Sequence, residues 1–539
     1  MKFALYGMPC AGKTTIMSGL SGVKVLHGSK ELQRLSNGNF SGLSDSEKEK
    51  IRIVYTDYVN SLDDEIIISD GHFSFLRDVV FTDADGELYD VFLYLYCEPK
   101  LLKERFCISE KNAKYASLSE EIICQWQQFE IESLRRECHI RQKDFYVISD
   151  SGDHCKLGIF LEAIQNGYSS YGLAMSIADE ITRIFPEPSE IYVIDGDKTI
   201  IEQDSFRFCC NGKTSVFDGD FYSGYQSWLF SNEYDISAFD KGRIKDITIN
   251  EGVWEQIKDK PYIVMSSGIS DIWSCIGKEK GISNIIADTH ISADTKYFVV
   301  EELQSRGYQV KAYGDSKIDM YMLREAQAGT LCIGERISRS LRNERIDGLQ
   351  LMYSHKHYVL SESYDEEVER DISICKSNSG VNGNQLAVAH MKLGERLGVI
   401  LKNRIPEQNA ALLVLERGGR FFGDGVYSSF GGHLYPYNPS KEELPLIDDE
   451  IVVIIDSVIN TGKSIDIIID KLRERNPKVE IVLVTNVIQR KAIERFKDFL
   501  LCAVRVSDNS FVGKNQATQK GNSGPDTADR LFNLIEKLF

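Results

Sequence analysis

Three clusters of residues suited to holding phosphate punctuate this chain, each directly after a run of apolar and β-branched residues. In GMPCAGKTT, Gly7, Gly12, Lys13, Thr14 and Thr15 follow the run KFALY and open a helical stretch. Glycines there let successive backbone N–H groups turn inward on phosphate oxygens; a lysine neutralises those oxygens, and a threonine hydroxyl reaches a divalent cation. In IYVIDGDKTI, Asp195 and Asp197 stand two apart at the end of a strand-like run. Such a pair divides labour: one ionised carboxylate attacks phosphorus, while the other protonates the leaving oxygen and then activates water. In IVVIIDSVINTGKS, Asp456 precedes Asn460, Thr461, Gly462, Lys463 and Ser464. Backbone N–H and hydroxyl groups at a helix start form a cradle for an anion.

Apolar runs that break into Gly, Asp, Ser, Thr or Lys read as strands of parallel sheets, buried on both faces. The expected fold class is α/β, with mainly parallel central sheets and a site at the carboxyl ends of the strands. At 539 residues the chain exceeds one ordinary core and reads as roughly three to four units. The best breaks are SSYG (169–172) to FPEPSE (185–190) and residues 335–350. They divide the chain into 1–168, 169–342 and 343–539.

Hydrophobic content of 42% and charged content of 27% are those of a globular protein. No apolar run approaches the roughly 18 residues that span a bilayer. A strand at the very start leaves no room for a leader peptide. Twelve cysteines are scattered without a CxxC pair, as reduced thiols of a cytoplasmic protein are. A net charge of −18 argues against an extended nucleic-acid surface. The expected partners are small phosphorylated metabolites, not nucleic acid or membrane.

In the first unit, DEIIISDGHF ends in Asp70, DVFLYLYCEP leads into KLLKERF, and the helical WQQFEIESLRRECHIRQ carries Arg135 and Arg136. The layout, over about 1–150, resembles small nucleoside and nucleotide kinases of the adenylate-kinase-like group. The resemblance implies ATP and Mg²⁺, with Lys13 as a catalytic cation, Thr14 and Asp70 at the metal, and Arg135 and Arg136 as lid arginines on the phosphoryl group. A solvated helix face explains the two arginines equally well.

In the second unit, PYIVMSSGIS ends in Ser266, beside Ser267. Lys296 stands in DTKYFVVEEL, and VKAYGDSKIDMYML presents Asp315 and Asp319. Order and chemistry resemble the haloacid-dehalogenase (HAD) superfamily, in its phosphoserine-phosphatase-like branch, over about 188–335. The resemblance implies Asp195 as nucleophile, Asp197 as acid and base, and Ser266 and Lys296 as phosphate binders. It places Asp195, Asp315, Asp319 and the main-chain carbonyl of Asp197 at Mg²⁺. A helical cap is expected over about 200–260, and its many aromatics read as cap core in preference to a lining for a flat substrate.

In the third unit, AALLVLERGGRFFGDG places Arg417 and Gly418 after a strand, and GNSGPDTADRLFN supplies Asp526, Asp529 and Arg530. With the loop after Asp456, these segments resemble type I phosphoribosyltransferases, closest to the uracil branch, over roughly 345–539. The resemblance implies phosphoribosyl pyrophosphate (PRPP) as substrate, held by Arg417, Gly418, Asp456, the loop 460–464, Asp526 and Asp529. It implies a nucleobase or base-like acceptor, and a homodimer through this unit. Ser457 replaces the second acid of the usual loop, and the base-recognition segment departs, reading FVGKNQATQKGN. Together the three units read as a multifunctional enzyme of nucleotide-like metabolism. The rivals are a regulator that binds PRPP or ATP without turnover, and an enzyme that processes nucleic-acid ends.

Overall fold

Each of the three apolar runs becomes a strand inside its own parallel sheet. The computed structural model describes residues 1–149, 154–214, 216, 222–341, 344–362, 365–508 and 526–534. Its first sheet orders strands Lys24–His27, Ile67–Asp70, Lys2–Tyr6, Val91–Leu95 and Asp144–Ile148. The second runs Ile285–Ala287, Tyr262–Ser266, Glu190–Ile194, Gln309–Gly314, Ala328–Ile333 and Gln350–Tyr353. The third runs His357–Val359, Leu500–Ser507, Glu480–Gln489, Ile451–Ile459, Ala410–Leu415 and His433–Tyr437. Every pairing within these sheets is parallel. The fold class is α/β. Phe3, Ala4, Leu5 and Tyr6 are all buried, as are Ile451 to Ile455. Coverage on both faces explains why these strands read as continuous apolar runs and do not alternate.

Folded elements lie at both of the expected breaks. The stretch 169–190 holds the helix Ser170–Ile184. Its Ala174, Ile177, Ala178 and Ile181 pack into the core beneath the second sheet, at the spacing of one helix face. The second sheet runs past 342: Gln350 pairs with Thr330 and Tyr353 with Ile333.

The cap region shows the largest departure. Its helix Gly224–Glu233 sends Tyr225, Trp228 and Leu229 into the core of the first unit, with Met8, Ile16 and Phe160. Ser223 Oγ accepts from the Val147 N–H at 3.0 Å, and Gln226 Nε2 donates to the Val147 carbonyl at 3.0 Å. Val147 lies on the terminal strand of the first sheet, so the cap satisfies backbone groups that an open edge leaves unpaired. Phe206 and Phe230 instead pack with Trp273 in the second unit. The cap aromatics are core, divided between two units. Among the described residues no helix is long and apolar enough to cross a membrane.

Candidate functional sites

The first loop opens on a cavity of about 1120 Å³ that Lys13, Thr14, Thr15, Asp70, His72 and Arg105 help to line. Gly7 and Gly12 take φ of +151° and +107°, a backbone path that turns the loop around Lys13. Lys13 begins the helix Lys13–Ser18, and its Nζ donates to the carbonyls of Gly7 (2.5 Å) and Met8 (3.1 Å). Burial lowers its pKa from 10.5 to about 8, against the pull of Asp70 and Glu130. Asp70 ends its strand with Oδ1 accepting from the Gly28 N–H at 2.9 Å. His72 Nδ1 stands 3.1 Å from the Gly7 carbonyl oxygen. Burial, reinforced by the Lys13 charge, holds this imidazole well below its ordinary pKa.

Arg135 and Arg136 do not line this cavity, which corrects the expected lid. Both sit on the helix Glu120–Ile140. Arg136 is exposed. Arg135 is buried, with Nε 3.0 Å from Asp294 Oδ1 in the second unit. The cation that reaches the loop is Arg105, from the helix Pro99–Ile108. Its Nη1 donates to the carbonyls of Cys10 and Ala11, each at 3.0 Å. The segment KLLKERF carries Arg105, but helical periodicity alone does not say which cation folds back over the loop.

At the second site, buried side chains from four separate strand ends and helix starts converge. Lys296, in the first turn of the helix Ala293–Ser305, places Nζ 2.5 Å from Asp195 Oδ1 and 2.7 Å from Asp319 Oδ1. Asp319 Oδ2 accepts from the N–H groups of Asp315 (3.1 Å) and Ser316 (3.2 Å). Carboxylate oxygens of Asp195, Asp315 and Asp319 all lie within 4.8 Å of one another. Gly196 makes the convergence possible, because a Cβ there would meet Trp273 at 2.3 Å and Ser266 Oγ at 2.7 Å. The Ser266 hydroxyl thus stands beside the Asp195–Asp197 turn, accepting from the Gly268 N–H at 3.0 Å. Ser267 Oγ is buried without a partner among the described residues.

Burial, then neighbouring charge, shifts the titration of this cluster. Burial and Asp319 raise Asp195 from 3.8 to about 6, with Lys296 opposing. Burial and Asp204 raise Asp197 to about 8, although Ser205 donates to its carboxylate from N (2.9 Å) and Oγ (3.1 Å). Burial holds Asp315 well above its ordinary value, with Lys198 opposing. Burial alone would lower the Lys296 ammonium, yet Asp195 and Asp319 outweigh it and raise it. Three buried carboxylates around one lysine carry surplus negative charge, which fits a hard divalent cation with oxygen ligands. Asp195, Asp315 and Asp319 would hold it. The Asp197 carboxylate, engaged by Ser205, is not part of that cluster.

At the third site, Asp456 lies on the long strand Ile451–Ile459. A Cβ on Gly418 would lie 3.6 Å from Asp456 Oδ1, so the turn at Arg417 and Gly418 stands beside the aspartate. Arg417 Nη2 donates to Asp529 Oδ1 at 3.0 Å. Asp526 caps the helix Thr527–Leu531 by accepting from the Ala528 N–H at 2.8 Å. Burial, then the Asp526 charge, raises Asp456 from 3.8 to about 7 against the N–H groups of Ser457 and Val458. Asn460 Oδ1 accepts from Gln489 Nε2 at 3.0 Å. Thr461, Lys463 and Ser464 are exposed around the start of the helix Lys463–Arg475. Gly462 is required there: its φ is +77°, and a Cβ would meet the Phe496 ring at 2.6 Å. Ser457 is buried, and its Oγ has no partner among the described residues. Arg530 is a buried brace, donating to Ser379 Oγ (3.0 Å) and the Val381 carbonyl (2.9 Å). The segment FVGKNQATQKGN lies outside the described residues.

The family model of uracil phosphoribosyltransferase matches residues 437–533, a span that takes in Asp456, the loop 460–464, Asp526 and Asp529. No curated protein shows a significant match to the chain. Solved structures similar to parts of it include shikimate kinase from Acinetobacter baumannii in complex with shikimate, at 17% identity and TM-score 0.25, covering 31% of this chain and 94% of that one. A HAD family hydrolase from Salmonella enterica serovar Typhi is similar at 16% identity and TM-score 0.21, covering 32% and 70%. Xanthine-guanine-hypoxanthine phosphoribosyltransferase from Helicobacter pylori is similar at 14% identity and TM-score 0.18, covering 21% and 82%. Scores this low support no inference about the sites.

Proposed function

We propose that the chain is a multifunctional enzyme of nucleotide-like metabolism. It transfers a phosphoribosyl group from PRPP to a base, hydrolyses a phosphate monoester through an aspartyl-phosphate, and phosphorylates a small molecule with ATP. The observation that carries this reading is the second site, where the buried carboxylates of Asp195, Asp315 and Asp319 surround the neutralising ammonium of Lys296 and Asp197 stands on the adjoining turn.

There Asp195 Oδ attacks phosphorus, forming an acyl-phosphate as the ester oxygen departs. Asp197, protonated near neutral pH by its raised pKa of about 8, gives its proton to that oxygen. It then takes one from the water that cleaves the acyl-phosphate. Lys296 and the Ser266 hydroxyl hold the transferring group. Asp195, Asp315 and Asp319 would hold a Mg²⁺, which would supply further charge neutralisation.

At the first site Lys13 would neutralise the phosphate oxygens of ATP, and Thr14 and Asp70 would hold its Mg²⁺. At the third, Asp456 binds ribose hydroxyls, the loop 460–464 cradles the 5′-phosphate, and Arg417 with Gly418 receives the pyrophosphate that leaves. Kinase and phosphatase acting on one pair of compounds would be futile, so their substrates differ in identity or in phosphate position.

Incubation with PRPP, Mg²⁺ and mixed bases, read by mass spectrometry, tests the transferase. Lys13→Ala, Asp195→Asn and Asp456→Asn should each remove a different activity. If any single replacement silences all three, the modular reading fails. Ser457 favours one second reading, in which the third unit holds PRPP as a signal. Tight PRPP binding with no pyrophosphate release on any base would establish it.

A further inference from the structure

We infer that Arg135 and His139, which belong to the first unit, are positioning residues for the phosphate site of the second unit: they clamp Asp294 and Tyr321, next to the residues that brace Asp195. The inference rests on the phosphatase reading of that site.

Asp294 is 1% exposed, and it faces Arg135 (Nε to Oδ1, 3.0 Å) and His139 (Nε2 to Oδ1, 2.8 Å). A carboxylate buried this deeply persists only beside a cation. Here both partners come from the other unit, and Arg135 is the cation. Burial pushes the Asp294 pKa up, yet Arg135 and His139 outweigh it and hold the group below its ordinary value. His139 also stacks flat on Tyr297, with ring centroids 3.9 Å apart at 8°. Arg135 Nη1 donates to Tyr321 Oη at 2.5 Å, and that hydroxyl donates to Glu132 at 2.8 Å.

Asp294 precedes Lys296 by two residues in the same first helical turn, and Tyr321 follows Asp319 by two. Residues two apart on a helix point to nearly opposite sides, about 200° around the axis. One side of the turn is therefore held by the first unit, while the other presents Lys296 to Asp195 and Asp319. The clamp itself is rigid. Glu130, on the same helix as Arg135 and His139, accepts from Tyr94 Oη (2.7 Å) and the Ser74 N–H (2.9 Å). Gln127 Nε2 donates to the Cys97 carbonyl at 2.8 Å. Such a buried pair sets register: it fixes where the helix carrying Lys296 lies against the helix Glu120–Ile140.

The test uses full-length protein and p-nitrophenyl phosphate with Mg²⁺. Arg135→Met combined with Asp294→Asn removes the clamp without leaving an unpaired buried charge. It should lower kcat about tenfold to a hundredfold, as misplacement by about 1 Å does. KM should stay within about twofold, and binding of a non-hydrolysable ATP analogue should not change. Arg135→Lys keeps the charge and should recover part of the loss. A folded double variant with wild-type kcat overturns the inference. If the wild-type protein hydrolyses no phosphomonoester, the phosphatase reading fails, and Mg²⁺-dependent binding of beryllium trifluoride becomes the readout. Weaker binding in the double variant then supports the clamp, and equal binding overturns it.

Discussion

The second and third sites each hang on a central parallel strand with an aspartate, Asp195 directly after its strand and Asp456 within its own, yet the two have different company. Asp195 meets the side chain of Lys296, which is itself 0% exposed and shared with Asp319. Asp456 meets mainly backbone: the N–H groups of Ser457 and Val458 oppose its raised pKa, and the Asp526 charge adds to it. The second site is assembled from buried side chains drawn from distant segments, where electrostatic effects are strong. The third lies nearer the surface, and its loop residues Thr461, Lys463 and Ser464 remain exposed; as proposed, it grips its ligand mainly through main-chain groups. A pocket of side chains should fail abruptly when one group is removed. A cradle of main-chain groups should tolerate single side-chain losses better.

Asp195→Asn should give the largest effect, a fall of at least about 10³-fold in phosphomonoester hydrolysis, because it would remove the proposed nucleophile. Residual turnover above about a tenth of wild type would assign the attack elsewhere. Lys13→Ala comes next, with a loss of about 10²–10³-fold in ATP-dependent phosphorylation and no change in phosphatase rate. A parallel loss in both activities would break the separation of the sites.

Asp456 offers a pH test. Its pKa is raised from 3.8 to about 7 in the folded chain. Between those values the folded state holds a proton that the unfolded state has released. Stability from this group is complete below about pH 4 and falls as pH rises toward 7. Unfolding midpoints followed from pH 5 to pH 7 should decline in the wild type and decline less in Asp456→Asn. Matching slopes would mean that this carboxylate is not held in an environment that raises its pKa.

Ser457→Ala should be the smallest perturbation. The Ser457 hydroxyl is buried without a partner among the described residues. Its removal should leave stability unchanged or raise it by up to about 1 kcal/mol. If PRPP affinity falls about tenfold in this variant, the hydroxyl serves the ligand and the third site is more than a main-chain cradle.

Local pattern is enough to read the α/β class, the strands, the Gly-, Asp-, Ser- and Thr-bearing loops that follow them, and the order of groups in each loop. These features are local: a run of apolar residues followed by Gly, Asp, Ser or Thr fixes a strand and its turn whatever lies across the sheet. Which long-range partners meet is settled by the packing of the whole chain. Periodicity on WQQFEIESLRRECHIRQ gives a helix with a buried face, but burial is satisfied equally by a lid or by a neighbouring unit. Arg135 went to Asp294, and Arg105 from another helix took the place beside the loop. The aromatic cap likewise reads as core, while its split between two units depends on an edge strand far away in sequence. Lys296, one lysine at a helix start, acquires its place between Asp195 and Asp319 only when strands about a hundred residues apart lie side by side in one sheet.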